Sequence, residues 1–239
     1  MKHIPRFYIT AHLEQGLSFC LSNDRINHVF RVLRMKEKEH LQVFNSIDGE
    51  WDCEILNEKT GLVQCLKQLK ETDITTDGPI IACAIINSNA MSWMLEKITE
   101  LGAQEIIPLI TQYTAHHKNY REDRAKKIII QACEQCRRIS VPKLHSPIKL
   151  EKFLREYNYP QELLFGDERL PEGNFYDFIG KNSIFLVGPE GGFSEKEYNL
   201  LDKYDFVRKV KISKNILRSE TAATAFAAGW NCKFSQKIY

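Results

Sequence analysis

The chain has 239 residues, 43% of them apolar and 27% charged, with a net charge of +2. That is the profile of an ordinary globular protein, long enough for one large domain or two modest ones, and a balance so close to neutral names no partner. "MKHIPRFYIT" lacks the apolar stretch of a signal peptide, no run approaches the roughly 18 apolar residues of a membrane span, and the seven cysteines are an odd number, so reduced thiols and a cytoplasmic location are expected.

In chain order, the first 70 residues read as antiparallel. A helix is predicted from about Asp24 to Arg34, after the capping candidates Ser22 and Asn23. Ile26, Val29, Phe30 and Leu33 form its apolar face, while Arg25, His28, Arg31 and Arg34 lie on the other side. "HLQVFNS" and "EWDCEIL" flank Asp48-Gly49, a strong hairpin signal, and "LVQCLKQL" adds a further strand. The sum is a small β-barrel-like domain carrying a basic helix. "ETDITTDGP", 71–79, has turn residues and no period, and reads as a linker.

Beyond it the pattern changes. "IIACAII" is a continuous apolar run, the mark of a strand buried on both faces. There follow helix "MSWMLEKITEL", strand "EIIPLI", helix "REDRAKKIIIQACEQCRR", strands "ELLFGD" and "SIFLVG", helix "SEKEYNLLDKY", strand "VRKVKI" and helix "SETAATAFAAGW". Such alternation predicts a parallel sheet in an α/β domain. Cys133 and Cys136 form a C-x-x-C, either a metal or redox pair or two small residues on one helix face. No second C-x-x-C or H-x₃-H accompanies them, which favours the helix face. In the helix "MSWMLEKITEL", Lys97 and Glu100 are spaced for an intrahelical ion pair.

"LVGPEGGFSEKE", 186–197, ends a strand in a glycine-rich loop and starts a helix with a Ser194-x-x-Glu197 capping box. The loop is open to several readings. A phosphate cradle lacks the P-loop Lys-Ser/Thr, a dinucleotide fingerprint needs G-x-G-x-x-G, and a tight turn needs no ligand at all. Two more strand ends, Phe165-Gly166 and the segment "ISKNILR", join it at the carboxyl edge where α/β sheets bind ligands. Backbone groups from three such loops suit a flat, uncharged ligand, an adenosine more than a phosphate.

These motifs resemble the ribosomal RNA small subunit methyltransferase E family, within the knotted SPOUT methyltransferases. "LVGPEGGFSEKE" and "ILRSETA" carry the resemblance, with "IPRFY" at 4–8, "HVFRVLR" at 28–34, "EKITELGAQEIIPLIT" at 96–111 and "ACEQCRRISVP" at 132–142 in matching order. Ser213 and Asn215 depart from the family pattern, which has Gly and Arg there. The resemblance implies a PUA-like RNA-binding β-barrel domain over 1–72 and a SPOUT α/β methyltransferase domain over 73–239, with a parallel sheet and a C-terminal trefoil knot. It also implies S-adenosylmethionine as cofactor, N3 of a uridine in 16S rRNA as target, a homodimer, and no metal.

On that reading the cofactor contacts are Phe165, Gly166, Leu186, Gly188, Glu190, Gly191, Gly192, Ile212, Ile216 and Leu217, of which the apolar ones are equally candidates for core. Arg218 is the catalytic candidate, and Arg6, Arg31, Arg34 and Arg138 are the RNA contacts. Arg208, Lys209, Lys211, Lys214 and Arg218 are either a phosphate track beside the methyl donor or a solvated basic strand. His116 and His117 are weak candidates for a base. The alternatives are an RNA-binding protein that kept this fold and lost catalysis, and an α/β nucleotide hydrolase, against which the missing P-loop Lys argues.

Overall fold

The computed structural model describes residues 4–72, 78–115, 117–172 and 175–234. The chain divides into two compact units. One lies within Met1–Ile74 and Cys133–Val141, the other within Thr75–Ala132 and Pro142–Tyr239. The expected division near residue 72 therefore acquires a return: 133–141 joins the N-terminal unit. The linker residues 73–77 lie outside the described part.

In the N-terminal unit the strands are β1 (Arg6–Tyr8), β2 (Ser18–Cys20), β3 (His40–Asn45), β4 (Gly49–Asn57) and β5 (Leu62–Lys70). They form one sheet in the order β1-β3-β4-β5-β2, antiparallel except for β1 beside β3. The hairpin falls where Asp48-Gly49 placed it. Gly49 has φ +84°, and a β-carbon there would meet the Lys70 carbonyl at 2.2 Å, so only glycine closes this turn. Leu41, Val43, Cys53, Ile55, Val63 and Cys65 alternate inward and form the core with Phe7 and Val29.

The basic helix is present but is not a plain α-helix. α1 (Asn23–Ile26) passes into a π-helical turn over Asn27–Val32. There the Leu33 N–H reaches back five residues to the His28 carbonyl at 2.9 Å. The wider turn moves the apolar stripe: Val29 is fully buried, whereas Leu33 is 41% exposed. Arg34 ends the element with φ +55°, so Arg31 and Arg34 are both exposed but do not share a regular helix face.

Arg6 corrects an expectation. Its side chain is 4% exposed and pairs with Glu50 at 3.1 Å. It donates to the carbonyls of Cys133 at 2.8 Å and Arg138 at 3.0 Å, and lies over the Phe44 ring. The guanidinium thus closes the carbonyl end of the long helix that stops at Cys136, where positive charge is favourable, and has no face left for RNA. Arg138 is half-buried, with Nε donating to Ser140 Oγ at 3.0 Å, so it too is turned into this packing. Arg25 pairs with Glu134.

The C-terminal unit contains β6 (Ile80–Ala84), α2 (Ser88–Glu100), β7 (Glu105–Ile110), a 3₁₀ turn (His117–Asn119), most of α3 (Glu122–Cys136), β8 (Lys143–Leu144), β9 (Ile148–Lys149) and α4 (Leu150–Arg155). It continues through β10 (Leu163–Gly166), α5 (Phe175–Phe178), β11 (Ile184–Val187), α6 (Glu195–Leu201), β12 (Val207–Val210) and α7 (Ser219–Phe234). The sheet runs β12-β10-β11-β6-β7-β8, with β9 also on β7, and every pair is parallel. β6 and β11 are buried along their whole length, as continuous apolar runs require. The elements absent from the sequence reading are short pieces with too few residues to show a period.

Helix ends follow local chemistry. Asn87 caps α2 by accepting from the Ala90 N–H, and the Ser194/Glu197 capping box starts α6 as the sequence predicts. In α7, Ala223, Phe226, Ala227 and Trp230 are the buried stripe and pack toward α2, β6 and β11. Ala223 and Ala227 are therefore spent inside the chain.

Candidate cofactor and substrate site

The sheet order explains why loops distant in sequence meet. β10 lies between β12 and β11, and β11 adjoins β6, so the segments after Gly166, Val187, Val210 and Ala84 emerge side by side at the carboxyl edge. Between them lies a cavity of about 590 Å³ lined by Gly166, Glu168, Gly188, Gly192, Phe193, Tyr198, Ile212, Ser213 and Leu217, among others.

Two glycines shape it. A β-carbon at Gly188 would come within 2.7 Å of the Phe193 ring. Gly192 has φ +69° with open space on its side-chain side, and its N–H closes a turn onto the Pro189 carbonyl at 2.9 Å. The backbone thus forms the wall of the cavity. Phe193 stands edge-on to Phe165 at 5.2 Å, which supports that wall from below.

The expected cofactor residues separate into groups. Gly166, Gly188, Gly192, Ile212 and Leu217 line the cavity. Phe165 and Leu186 are fully buried in the core beneath it, so their side chains have no path to a ligand. Glu190, Gly191 and Ile216 lie instead on an adjoining cleft of about 980 Å³, shared with Asn87, Glu168, Leu217, Arg218 and Glu220. Ile216 is 79% exposed there. Phe165 and Leu186 can thus meet a ligand only through their backbone groups, and Ile216 stands at the rim of the cleft.

Glu190 has a defined task. Its Oε1 accepts from both the backbone N–H and the Nδ2 of Asn87 at 3.0 Å, 103 residues away. The carboxylate therefore ties the glycine loop to the start of α2, where the orphan amides of a helix N-terminus favour negative charge.

Of the basic run after β12, most members are engaged. Arg208 makes a two-pronged contact with Glu162 at 2.7 and 2.6 Å, and the same contact holds the Glu162 carboxyl below its usual range. Lys209 pairs with Asp202 at 2.5 Å, and Lys211 donates to the carbonyls of Glu168 and Leu170. The phosphate track thus shrinks to Lys214 and Arg218, both exposed. Arg218 forms no side-chain hydrogen bond or ion pair among the described residues, so its guanidinium points into the cleft unspent.

The remaining candidates resolve into structure. Lys97 pairs with Glu100 at 3.0 Å. His117 Nδ1 lies 3.0 Å from the Thr114 carbonyl, and His116 falls outside the described residues. Cys133 is buried, which pushes its thiol up to about 12, and among the described residues no group of three His, Cys, Asp or Glu side chains is placed to hold a metal. No helix among them is long and apolar enough to cross a membrane. Sequence reasoning missed Asn87, Phe193, Tyr198 and Glu168. Asn87 carried a capping signal, but its partner lies across the sheet edge.

Residues 78–231 match the family model described as an RNA methyltransferase domain, and residues 21–66 match that of an RNA methyltransferase PUA domain. Fold and site together define the class, an RNA methyltransferase. The ribosomal RNA small subunit methyltransferase E of Rickettsia conorii is 32% identical over 93% of both chains. A crystal structure of the protein of that name from Neisseria gonorrhoeae, bound to S-adenosyl methionine, superimposes with a TM-score of 0.86 at 25% identity, covering 97% of this chain and 98% of that one. A putative methyltransferase from Legionella pneumophila in complex with the same cofactor gives a TM-score of 0.85 at 27% identity over the same shares. The chain belongs to the ribosomal RNA small subunit methyltransferase E family.

Proposed function

We propose that this chain uses S-adenosylmethionine to methylate N3 of one uridine in the 16S rRNA of the small ribosomal subunit. The observation that carries the reading is the junction of two spaces at one sheet edge, a glycine-walled cavity and a cleft bearing a free arginine. The cavity fits the cofactor: glycine backbone forms part of its wall, a β-carbon at Gly188 would collide with the Phe193 ring, and Ile212 and Leu217 offer apolar surface for a flat ring. Gly166, Gly188, Gly192, Ile212 and Leu217 would hold it, and when bound it supplies an electrophilic methyl group.

The protein's part is chiefly positioning, since transfer needs the reacting atoms about 3–3.5 Å apart. Glu190 and Asn87 fix the loop between the two spaces. Arg218 stands where negative charge develops as uracil loses its N3 proton, and its planar fork suits either a phosphate or a uracil oxygen. Arg31 and Arg34, exposed on the N-terminal unit, supply phosphate contacts. The same reading carries a homodimer and the C-terminal knot.

Mass mapping of methylated nucleotides in small-subunit rRNA, from cells with and without this protein, tests it. The expected result is loss of one N3-methyluridine. An unchanged methylation map overturns it.

A further inference from the structure

Methylation at N3 leaves one task unassigned. A neutral uracil N3 carries a proton and is a poor nucleophile, so a group must receive that proton beside the methyl donor. Resting on the function proposed above, we infer that the carboxylate of Glu168 is this base.

The assignment follows from elimination. Glu168, Pro189, Gly192, Leu217 and Ser219 line both the cofactor cavity and the Arg218 cleft. A base in this reaction must stand at that boundary, because the uracil enters from the cleft and the methyl group is presented from the cavity. Glu168 is the sole carboxylate of the five. The other ionisable groups of the two spaces are differently placed or engaged. Asp167 is buried against Arg169 at 3.3 Å, and Tyr198 is covered by the Arg169 guanidinium 3.1 Å from its ring centre. Lys211 donates to carbonyls, Glu190 accepts from Asn87, and Glu220 lines the cleft without reaching the cavity.

The position of Glu168 is itself fixed. It follows Gly166 at the end of β10 by two residues, and its own carbonyl accepts from Lys211 Nζ at 3.3 Å. Its side chain is exposed, so it can meet a substrate and return its proton to water. In the step, the N3–H bond breaks, the proton passes to a Glu168 carboxylate oxygen, and the electron pair stays on N3. That pair forms the new N3–C bond while the pair of the breaking C–S bond stays on sulfur, which becomes a neutral thioether. Arg218 faces the charge that N3 and its neighbouring oxygens carry on the way.

The test compares wild type with Glu168→Gln and Glu168→Asp, using full-length protein and small-subunit particles. Calorimetry with S-adenosylmethionine should give affinities within about twofold of wild type, since Gln keeps the size and polarity of Glu at the cavity rim and the residues that would hold the cofactor, Gly166, Gly188, Gly192, Ile212 and Leu217, are unchanged. Single-turnover methylation by Glu168→Gln should fall by roughly 10²-fold or more, the usual contribution of a positioned base, while Glu168→Asp retains part of the rate. Its log rate should also climb with pH where that of wild type is level, because N3 must then ionise unaided. Particles carrying 5-fluorouracil, whose N3 is more acidic, should narrow the deficit of Glu168→Gln at least about tenfold. Near-normal turnover by Glu168→Gln, a cofactor affinity that falls in step with turnover, or a deficit untouched by 5-fluorouracil would each overturn the assignment. Mapping the methylated position made by the wild type in the same experiment separates this failure from failure of the N3 reading itself.

Discussion

At the residue scale, a single arginine can be a lattice of contacts or a free charge, and Arg6 and Arg218 show both. Arg6 is wholly taken up by Glu50 and two carbonyls. Arg6→Ala takes from buried Glu50 its close partner, leaving Arg137 at 3.8 Å, and should cost up to about 3–5 kcal/mol, read as a lower denaturant midpoint rather than as weaker RNA binding by the folded protein. Arg218 has no such structural partner. Arg218→Ala and Arg218→Lys should each lower single-turnover methylation by about 10²-fold or more, with melting temperature and S-adenosylmethionine affinity near wild type. Gly188 is the third case. In Gly188→Ala the new methyl meets Phe193 at 2.7 Å, and the overpacking should cost about 1–3 kcal/mol and weaken the cofactor, measured by thermal melting and calorimetry. Ordinary cofactor affinity in that variant would mean the ring moves aside freely.

At the scale of the element, burial pattern decides what a charged helix can do. The α1 and π-helical stretch buries Val29 and leaves Arg31 and Arg34 in solvent, while Arg25 is held by Glu134. Replacing Arg31 and Arg34 together with Ala should flatten the salt dependence of RNA binding, each lost phosphate contact removing up to ~0.9 from the log–log slope on a duplex. S-adenosylmethionine affinity should not change. A filter-binding series across salt reads this directly, and an unaltered slope would assign both arginines to something other than phosphate. Strand β12 and the loop after it show the opposite outcome: of a basic run that looked like a phosphate track, Arg208, Lys209 and Lys211 answer acids and carbonyls across the fold, and Lys214 and Arg218 remain.

At the scale of the whole molecule, α7 has one face inside its own chain, through Ala223, Phe226, Ala227 and Trp230. Ala225 and Ala228 are only partly covered and Thr221 is exposed, and in the homodimer proposed above these small residues would be the face that meets a second copy. Two-fold pairing is the commonest assembly. Sedimentation at micromolar concentration should give a dimer, and Ala225→Arg, which sets a charge on that face, should give a folded monomer. A wild-type monomer would remove α7 from this role.

Much of this protein is determined by neighbours a few residues apart. The Asp48-Gly49 hairpin, the Ser194/Glu197 capping box, the apolar runs of β6 and β11 and the glycine loop all express local geometry, and each is legible in sequence because its cause lies within one turn or one strand. The change of period after the first 70 residues separates an antiparallel part from an alternating α/β part. What only the tertiary structure decided is who meets whom across long separations. Glu190 finds Asn87 103 residues away, and Arg6 finds the Cys133 carbonyl at a separation of 127. Sheet order, not chain order, sets Glu168 between the cavity and the Arg218 cleft. Residue type tells what a side chain can bond to. Which partner it gets is fixed by burial and strand order, and these are properties of the packed chain.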